Sequence, residues 1–310
     1  MATAKLTGNG QQKTFRELFC SPGLAAELHG QVTCLSVLNS LLSVTAFLGN
    51  SLILIALHKE SSLHPPSKLL LRNLVTTDLC VGLISEPLAV AYCMSVANER
   101  WNICPRLALA NFITGYILCG VSVSTLTAIS VDRLLALLLG LRYRQVVTLG
   151  RTYVIVISTW VIAAVFPAML FWNPLITFWY GIIGIPLYLL ISTFSYTKIF
   201  LTLRQHQNQV QDHVQQPNQA NQLNRARYKK AVASAIWLQL TLIACYLPYE
   251  ILAVFQAHIG LSVSLYNVQL YASTLVYLNS SLNPILYCWK QNEVRQAVKD
   301  TIRQVFCHIL

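Results

Sequence analysis

The chain has 310 residues, a length that would fit about two soluble domains. Its composition excludes that class, because 55% of the residues are hydrophobic and only 11% are charged, against about 25% charged residues in ordinary globular proteins. Soluble enzymes, disordered proteins and small disulfide scaffolds are therefore excluded. The net charge of +11 does not indicate nucleic-acid binding, since the basic residues lie in short clusters between long apolar runs, as in membrane proteins.

The apolar runs are long enough to cross a membrane seven times. A helix needs about 20 residues to span about 30 Å of hydrocarbon. Five runs each supply one span, and the 46-residue run 152–197 is divided into two by Asn173-Pro174. The single spans are residues 28–58, 69–93, 107–131, 231–249 and 266–289. The predicted fold is an all-α membrane protein, a bundle of seven transmembrane helices followed by a short C-terminal interfacial helix.

The distribution of basic residues predicts the orientation of the bundle. Most of the 22 Lys and Arg residues lie in the first, third and fifth loops or in the tail, and basic loops stay on the cytoplasmic side. Residues 1–31 are therefore expected to be extracellular, 32–289 to form the membrane domain and 290–310 to be cytoplasmic. The N-terminal segment has no apolar stretch typical of a cleavable signal peptide.

Two cytoplasmic segments have distinctive compositions. Residues 205–222 contain 11 Asn or Gln residues in 18 positions, which predicts that the fifth loop, residues 204–225, is disordered. After Trp289, apolar residues recur at three- and four-residue spacing beside basic ones, which is typical of a helix lying on anionic lipid. Cys307 follows this helix and is a candidate for palmitoylation, with an ordinary free thiol as the alternative.

Polar residues and prolines recur at particular positions inside the spans, where they are costly unless they serve a function. They are Asn50, Asp78, Asp132-Arg133, Trp160, Pro186, Pro248 and Asn283-Pro284-Ile285-Leu286-Tyr287. In this order and in these spans they resemble the motifs of the rhodopsin-like (class A) G-protein-coupled receptors. The resemblance implies a non-enzymatic plasma-membrane receptor that transmits an extracellular ligand signal to a heterotrimeric G protein. The alternative is a transporter or channel with Asp78 as an ion site, although no repeat links the two halves of the chain.

The resemblance also implies which residues couple the receptor to its G protein. Asp132 is expected to hold Arg133 at rest and to release it when the cytoplasmic end of span six moves outward. The residues implied in coupling and activation are Asp132, Arg133, Tyr246, Pro248, Asn283, Pro284 and Tyr287. Tyr246 replaces the tryptophan usual in span six. The acid that often restrains the arginine from span six is replaced by Tyr228, so this second restraint is missing.

A sodium ion is the one cofactor that the resemblance implies. In the family it lies beside the aspartate of span two in the inactive state, and a hard cation of this kind prefers oxygen ligands. The matching residues are Asp78, Ser122, Asn279, Ser280 and Asn283.

The disulfide that usually ties span three to the loop before span five is not expected here. The family position of the first cysteine is Ala108, and residues 166–180 contain no cysteine. Four cysteines remain on the predicted outer side, and the sequence does not select a pairing among them. They are Cys20, Cys34, Cys93 and Cys104. The very short loop before span five resembles that of melanocortin and lysophospholipid receptors.

The ligand class is restricted by two further positions. An opsin is excluded, because the position of its retinal-linking lysine is occupied by Tyr277 here. An aminergic receptor of the common kind is disfavoured, because the position of its aspartate is occupied by Gly115. Glu250 is expected to face the cavity one turn above Tyr246, and a carboxylate among aromatic rings suits a cation, although these rings also fit a core-filling role. The predicted pocket residues are Tyr116, Phe178, Trp179, Tyr249, Glu250 and Tyr277. The expected partners are an extracellular ligand of unassigned class, a G protein and membrane lipid, with no nucleic acid.

Overall fold

The structure, a computed structural model, describes residues 19–59, 63–213, 219–259, 262–290, 295–296 and 298–303. Within these ranges the side chains of residues 23–28, 59, 206–213, 219–235, 287, 289 and 290 lie outside the description. The described residues form helices and the turns between them, and the predicted all-α seven-helix bundle is confirmed.

Seven long helices account for most of the described chain. They are α1 (Pro22–Lys59), α2 (Pro65–Ala97), α3 (Cys104–Leu139), α4 (Leu149–Ala168), α5 (Pro174–Trp179, Tyr180–Gly184 and Ile185–His213), α6 (Gln219–Ile259) and α7 (Val263–Lys290). Both α2 and α5 contain one π turn, at Val81–Ser85 and Tyr180–Gly184. A π turn adds a residue to the helix and changes which side chains face inward after it.

Asn173-Pro174 separates α4 from α5, as predicted. A turn of 3₁₀ helix at Met169–Phe171 ends α4, and only Trp172 and Asn173 precede Pro174, the first residue of α5. The Asn173 side chain accepts a hydrogen bond from the Leu175 amide at 3.1 Å, and proline is favoured at the first helical position because its missing donor is not needed there. The connection between α4 and α5 is therefore only two residues long.

The outer surface of the bundle is apolar. Large hydrophobic side chains such as Leu41, Val154, Leu190 and Ile285 are each more than 60% exposed, an arrangement that is stable only in lipid. Among the described residues, six helices are long and apolar enough to cross a membrane by length and composition alone. The seventh, α7, is less apolar because it carries a run of buried polar residues that includes Asn279 and Asn283.

The helices pack as a closed ring with α3 inside it. α1 lies against α2 and α7, α6 lies between α5 and α7, and α3 contacts α2, α4 and α5. The largest group of buried apolar side chains runs through the centre and includes Leu74, Val123, Leu242 and Tyr246. The buried polar side chains of α2, α3 and α7 converge on this centre, which positions the candidate site.

The fifth loop differs from its prediction. The described helices continue to His213 and restart at Gln219, so most of residues 204–225 are helical instead of disordered; Pro217 lies outside the described residues. Gln has good helix propensity, and extending a helix that has already formed costs little because the nucleation step is complete. The Asn- and Gln-rich composition therefore prolongs α5 and α6.

The tail is helical where the structure describes it. Residues 298–303 form a helix whose Val298 is 6% exposed and joins the central apolar cluster, while Lys299 and Arg303 are exposed. The amphipathic character of this helix and its position on lipid stay a prediction. Cys307 lies outside the described residues.

Candidate functional site

A polar cluster around Asp78 lies at the centre of the bundle. The carboxylate is fully buried and accepts hydrogen bonds from Ser122 of α3 at 3.0 Å, and from Ser280 and Asn283 of α7 at 2.9 and 2.7 Å. Three of the four predicted neighbours of Asp78 are therefore brought together. Asn279 is also buried, but its Nδ2 has no hydrogen-bond partner in the described part of the chain.

This cluster fits a small monovalent cation. It combines the negative charge of Asp78 with the hydroxyl groups of Ser122 and Ser280, and these groups supply hard oxygen atoms of the kind that such a cation requires. Within the described ranges, no group of three or more His, Cys, Asp or Glu residues converges as a transition-metal site would need.

Pro284 kinks α7 beside this cluster, and Asn50 compensates for the lost hydrogen bond. A proline has no amide hydrogen, so the carbonyl four residues earlier, that of Ser280, is left without its helical donor. Asn50 Nδ2 donates to that carbonyl at 3.0 Å. Gly49 makes the approach of α1 possible, since a Cβ atom at this position would lie 3.0 Å from Pro284 Cγ. The side-chain compensation expected at a membrane kink is thus present.

Asp132, near the C-terminal end of α3, is held by two hydroxyl groups. Tyr143 donates to Asp132 Oδ1 at 2.6 Å, and Ser67 of α2 donates to Oδ2 at 2.8 Å. Arg133 is exposed, and within the described ranges it forms no ion pair with Asp132. In this structure Asp132 is paired with these two hydroxyl groups, and the expected hold of Asp132 on Arg133 is not present among the described residues.

Sequence reasoning did not identify Tyr143 as a partner of Asp132. The chain returns toward Asp132 at Gly140, whose φ is +50°, a conformation that favours glycine because it has no Cβ atom. A single turn of 3₁₀ helix, Gly140–Arg142, then places Tyr143 against the carboxylate. The glycine after a long apolar helix was the available signal.

Tyr246 of α6 connects α6 to α3. Its ring is 2% exposed, and its hydroxyl donates to the Cys119 carbonyl at 3.3 Å. Pro248 follows two residues later inside the same helix. A narrow cavity near this contact is lined by Leu126, Ser192, Tyr196, Leu238, Thr241, Leu242, Asn279, Asn283 and Leu286. Tyr287 belongs to α7, but its side chain lies outside the description.

Four of the six predicted pocket residues lie near one another in the bundle. They are Tyr116, Tyr249, Glu250 and Tyr277. Glu250 is only 4% exposed and is close enough to Tyr116 and Tyr249 to interact electrostatically with both. Tyr249 interacts in the same way with Tyr277. Within the described ranges the Glu250 carboxylate accepts no hydrogen bond, so a bound donor would meet no competing partner.

Tyr277 occupies the space in which an aminergic receptor would hold its aspartate. A Cβ atom at Gly115 would lie 3.0 Å from the Tyr277 hydroxyl, and this hydroxyl donates to Asn111 Oδ1 at 3.1 Å. A larger residue at position 115 would displace the tyrosine. If a cation binds in this pocket, the acidic side chain that binds it must therefore come from a helix other than α3.

The two pocket residues predicted on α5 are placed differently. Trp179 is 54% exposed, so its inclusion in the pocket was wrong. Thr177 donates to the Phe166 carbonyl of α4 at 2.7 Å, which fixes the rotation of this first turn and directs the ring of Trp179 outward. Phe178 is half-buried and packs edge-on against Trp179.

A disulfide joins Cys20, which precedes α1, to Cys104, the first residue of α3. Cys104 lies one helical turn before the usual family position, so it meets the N-terminal segment instead of the loop before α5. The other two candidates do not pair, since Cys34 is exposed, Cys93 is buried, and both are free thiols. Beside the disulfide, Tyr92 of α2 donates to the Phe19 carbonyl at 3.0 Å. The N-terminal segment is thereby fixed to α2 and α3.

Comparison with known proteins agrees with this architecture. The profile of the family described as 7 transmembrane receptor (rhodopsin family) matches residues 49–174 and 166–287. The human D(4) dopamine receptor is 32% identical over 137 residues, which span 44% of this chain and only 32% of that receptor. Trace amine-associated receptor 13c of Danio rerio is 24% identical over 81% of this chain and 80% of its own length. 5-Hydroxytryptamine receptor 6 of Mus musculus is 25% identical over 83% of this chain and 68% of its own length.

The profile covers most of the chain, and its matched residues contain nearly all of the motifs described above. The similar proteins are receptors, so the transporter or channel interpretation is not favoured, and the family is not enzymatic. The protein is a multi-pass membrane protein that acts as a G-protein-coupled receptor, with an extracellular ligand and a G protein as its partners. The chain belongs to the rhodopsin family of seven-transmembrane receptors.

Proposed function

We propose that the protein is a plasma-membrane receptor for a small organic cation, bound by Glu250 of α6 within a cage of tyrosines. The observation that carries this proposal is the buried Glu250 carboxylate, which accepts no hydrogen bond in the described part of the chain and lies beside Tyr116 and Tyr249. A carboxylate with aromatic rings around it attracts a cation by both charge and ring quadrupole. The amine named in three similar receptors is consistent with this class.

The proposed orientation places the N-terminus and the Cys20–Cys104 disulfide outside the cell. Disulfides form in oxidising, extracellular surroundings, and the basic loops favour the opposite, cytoplasmic side. Arg133 is exposed at that cytoplasmic end, where a G protein would contact it. A guanidinium stays charged and exchanges its acceptors readily, which suits a residue that contacts a partner only in the active state.

The mechanism follows from the position of Pro248 within α6. Glu250 and Tyr249 lie on the ligand side of the proline, and Tyr246 lies on the other side, bonded to the Cys119 carbonyl. A cation drawn to Glu250 would pull the upper part of α6 inward, and the bend at Pro248 would move the cytoplasmic part outward. Gln239 exchanges hydrogen bonds with Ser192 and Thr193 at 2.8 and 2.7 Å, so α5 would move with α6.

A paired ligand screen tests the proposed ligand class. Cells that express the receptor are given amines and, for each amine, a neutral compound of the same shape, with adenosine and lysophosphatidic acid as non-amine comparisons. We expect nucleotide exchange to respond to a subset of the amines and to none of their neutral counterparts. A response to lysophosphatidic acid, or equal potency of an amine and its neutral counterpart, would contradict the proposal.

Sodium bound at Asp78 is proposed to act as a negative modulator of agonist binding. The ion would hold α2, α3 and α7 together through Asp78, Ser122 and Ser280, which already converge at 2.9–3.0 Å. Asp78→Asn removes the charge and should abolish the effect of sodium on agonist affinity, measured by competition binding in sodium or N-methylglucamine chloride. Sodium sensitivity equal to that of the wild type would refute this role.

Appreciable signalling without ligand is expected, because span six has Tyr228 where a restraining acid is common. An exposed ion pair contributes about 0–1 kcal/mol, so its absence shifts the balance between inactive and active states a few-fold. Tyr228→Glu should lower basal nucleotide exchange at equal surface expression. Tyr228→Gln is the control, because glutamine is similar in size to glutamate but uncharged, and it should leave basal exchange unchanged. The interpretation is wrong if the wild type shows no basal exchange above untransfected membranes.

The tail is proposed to contact anionic lipid. Exposed Lys299 and Arg303 project from the helix at residues 298–303, while Val298 packs into the bundle. Palmitate on Cys307 would add a second membrane attachment beside the helix. Metabolic labelling with a palmitate analogue, lost in Cys307→Ser, tests this modification.

A further inference from the structure

Glu86 is a second buried acid in α2, and none of the sites above uses it. Its side chain is fully buried, and both of its carboxylate oxygens lack a hydrogen-bond partner within the described ranges. The neighbouring Ser85 is also fully buried, and its hydroxyl likewise has no partner there. An ionised carboxylate without donors is strongly unfavourable in a protein interior. Glu86 must therefore be neutralised by a proton or by a bound cation.

The π turn in α2 places Glu86 on the same face as Asp78. Successive residues of an α-helix are about 100° apart, so a residue eight positions later would lie about 80° around the helix. The turn at Val81–Ser85 inserts one residue between the two acids. Glu86 consequently takes the angular position of a seventh residue, about 20° from Asp78, and lies roughly 10–12 Å further along the axis.

Contacts with α1 stabilise this irregular turn. The Ser43 hydroxyl donates to the Gly82 carbonyl at 2.6 Å, which satisfies one of the carbonyls that the π turn rearranges. Gly82 also allows α1 to approach, since a Cβ atom there would lie 3.0 Å from the Phe47 amide nitrogen and from Ala46 Cβ. The alignment of the two acids is therefore built into the packing of α1 on α2.

Glu86 is within electrostatic range of both the ligand pocket and the Asp78 cluster. It is close enough to Cys119 of α3 and Tyr277 of α7 to interact electrostatically with both, and it also interacts with Asp78. Tyr277 belongs to the pocket, and Cys119 provides the carbonyl that Tyr246 contacts.

We propose that Glu86, together with Ser85, forms a second binding site for a small monovalent cation, above the cluster at Asp78. One carboxylate supplies a single negative charge, and divalent ions are bound in proteins by larger sets of charged oxygen ligands. The fully buried position excludes a large organic ion. Sodium fits both conditions. The site takes from the proposed function only the choice of sodium as the cation.

Sodium-dependent stability separates the two sites. The melting temperature of the purified full-length receptor in lipid nanodiscs is measured against sodium concentration, with chloride held constant by N-methylglucamine. We expect Asp78→Asn to retain a sodium-dependent rise in melting temperature and the double variant Asp78→Asn with Glu86→Gln to lose it. Ser85→Ala in the Asp78→Asn background should raise the half-effective sodium concentration about 10-fold. This readout is stability, so it does not depend on the agonist-affinity effect assigned to Asp78.

Radioactive sodium binding to the wild-type receptor provides a second measurement that needs no variant to fold. Two sodium ions per receptor at saturation are expected, and one in each of the variants Asp78→Asn and Glu86→Gln. A single ion in the wild type that is retained in Glu86→Gln, or an Asp78→Asn variant whose stability ignores sodium, would overturn the second site and would mean that a proton neutralises Glu86. Loss of all sodium binding in Glu86→Gln alone would instead count against the Asp78 site.

Discussion

Removing the Cys20–Cys104 disulfide is expected to lower the free energy of unfolding by about 2–5 kcal/mol. The two cysteines are 84 residues apart, and a cross-link that closes so long a loop removes much conformational freedom from the unfolded chain. The double variant Cys20→Ser with Cys104→Ser should therefore unfold at a lower denaturant concentration or temperature than the wild type. Cys34→Ser is the matched control, because Cys34 is an exposed free thiol.

Reduction provides an independent check of the same bond. A reducing agent should lower the stability of the wild type to that of the double variant and should leave the double variant unchanged. The N-terminal segment should also lose its attachment beside Tyr92, whose hydroxyl now donates to the Phe19 carbonyl. Equal stability of the wild type and the double variant under oxidising conditions would contradict this account of the extracellular end.

Glu250→Gln is expected to reduce the potency of a cationic agonist by about 5- to 150-fold, equivalent to about 1–3 kcal/mol for a lost charge-assisted hydrogen bond. Glutamine keeps the size of the side chain and removes its charge, so the loss should appear in agonist binding with little change in folding. Agonist dose-response curves for nucleotide exchange, at matched surface expression, measure the effect.

Glu99→Gln is the matched control for this variant, since Glu99 is an acid at an exposed position between α2 and α3. It should leave agonist potency unchanged. Thermal unfolding of both variants identifies any general loss of stability. Wild-type potency in Glu250→Gln, for every amine that activates the receptor, would remove Glu250 from the binding site.

The sequence predicts the spans because the membrane restricts polar groups so strongly, whereas the members of the Asp78 cluster are implied by the resemblance to class A receptors. A buried carboxylate, two serines and an asparagine in three apolar helices have few stable arrangements other than contact with one another. The side chain that compensates for the hydrogen bond lost at Pro284 was harder to assign. Asn283 bonds to Asp78, whereas Asn50 bonds to the carbonyl that Pro284 leaves free.

Contacts that depend on local backbone geometry could not be predicted. The Asp132–Tyr143 hydrogen bond depends on the turn at Gly140, and the outward direction of Trp179 depends on the rotation of the first turn of α5. The Cys20–Cys104 pairing joins segments far apart in the chain, and spacing alone gave no preference among the four cysteines. The alignment of Glu86 with Asp78 depends on a π turn that has no sequence signature comparable to a proline or a cap.

Basal nucleotide exchange by the purified receptor tests the central claim most directly, because it needs no identified ligand. The wild type and Arg133→Ala, each in lipid nanodiscs, are mixed with a panel of purified heterotrimeric G proteins, and guanine-nucleotide exchange is compared with that in empty nanodiscs. We predict that the wild type accelerates exchange on at least one G protein and that Arg133→Ala reduces the rate to the level of empty nanodiscs. No acceleration on any G protein, or equal acceleration by Arg133→Ala, would contradict the account.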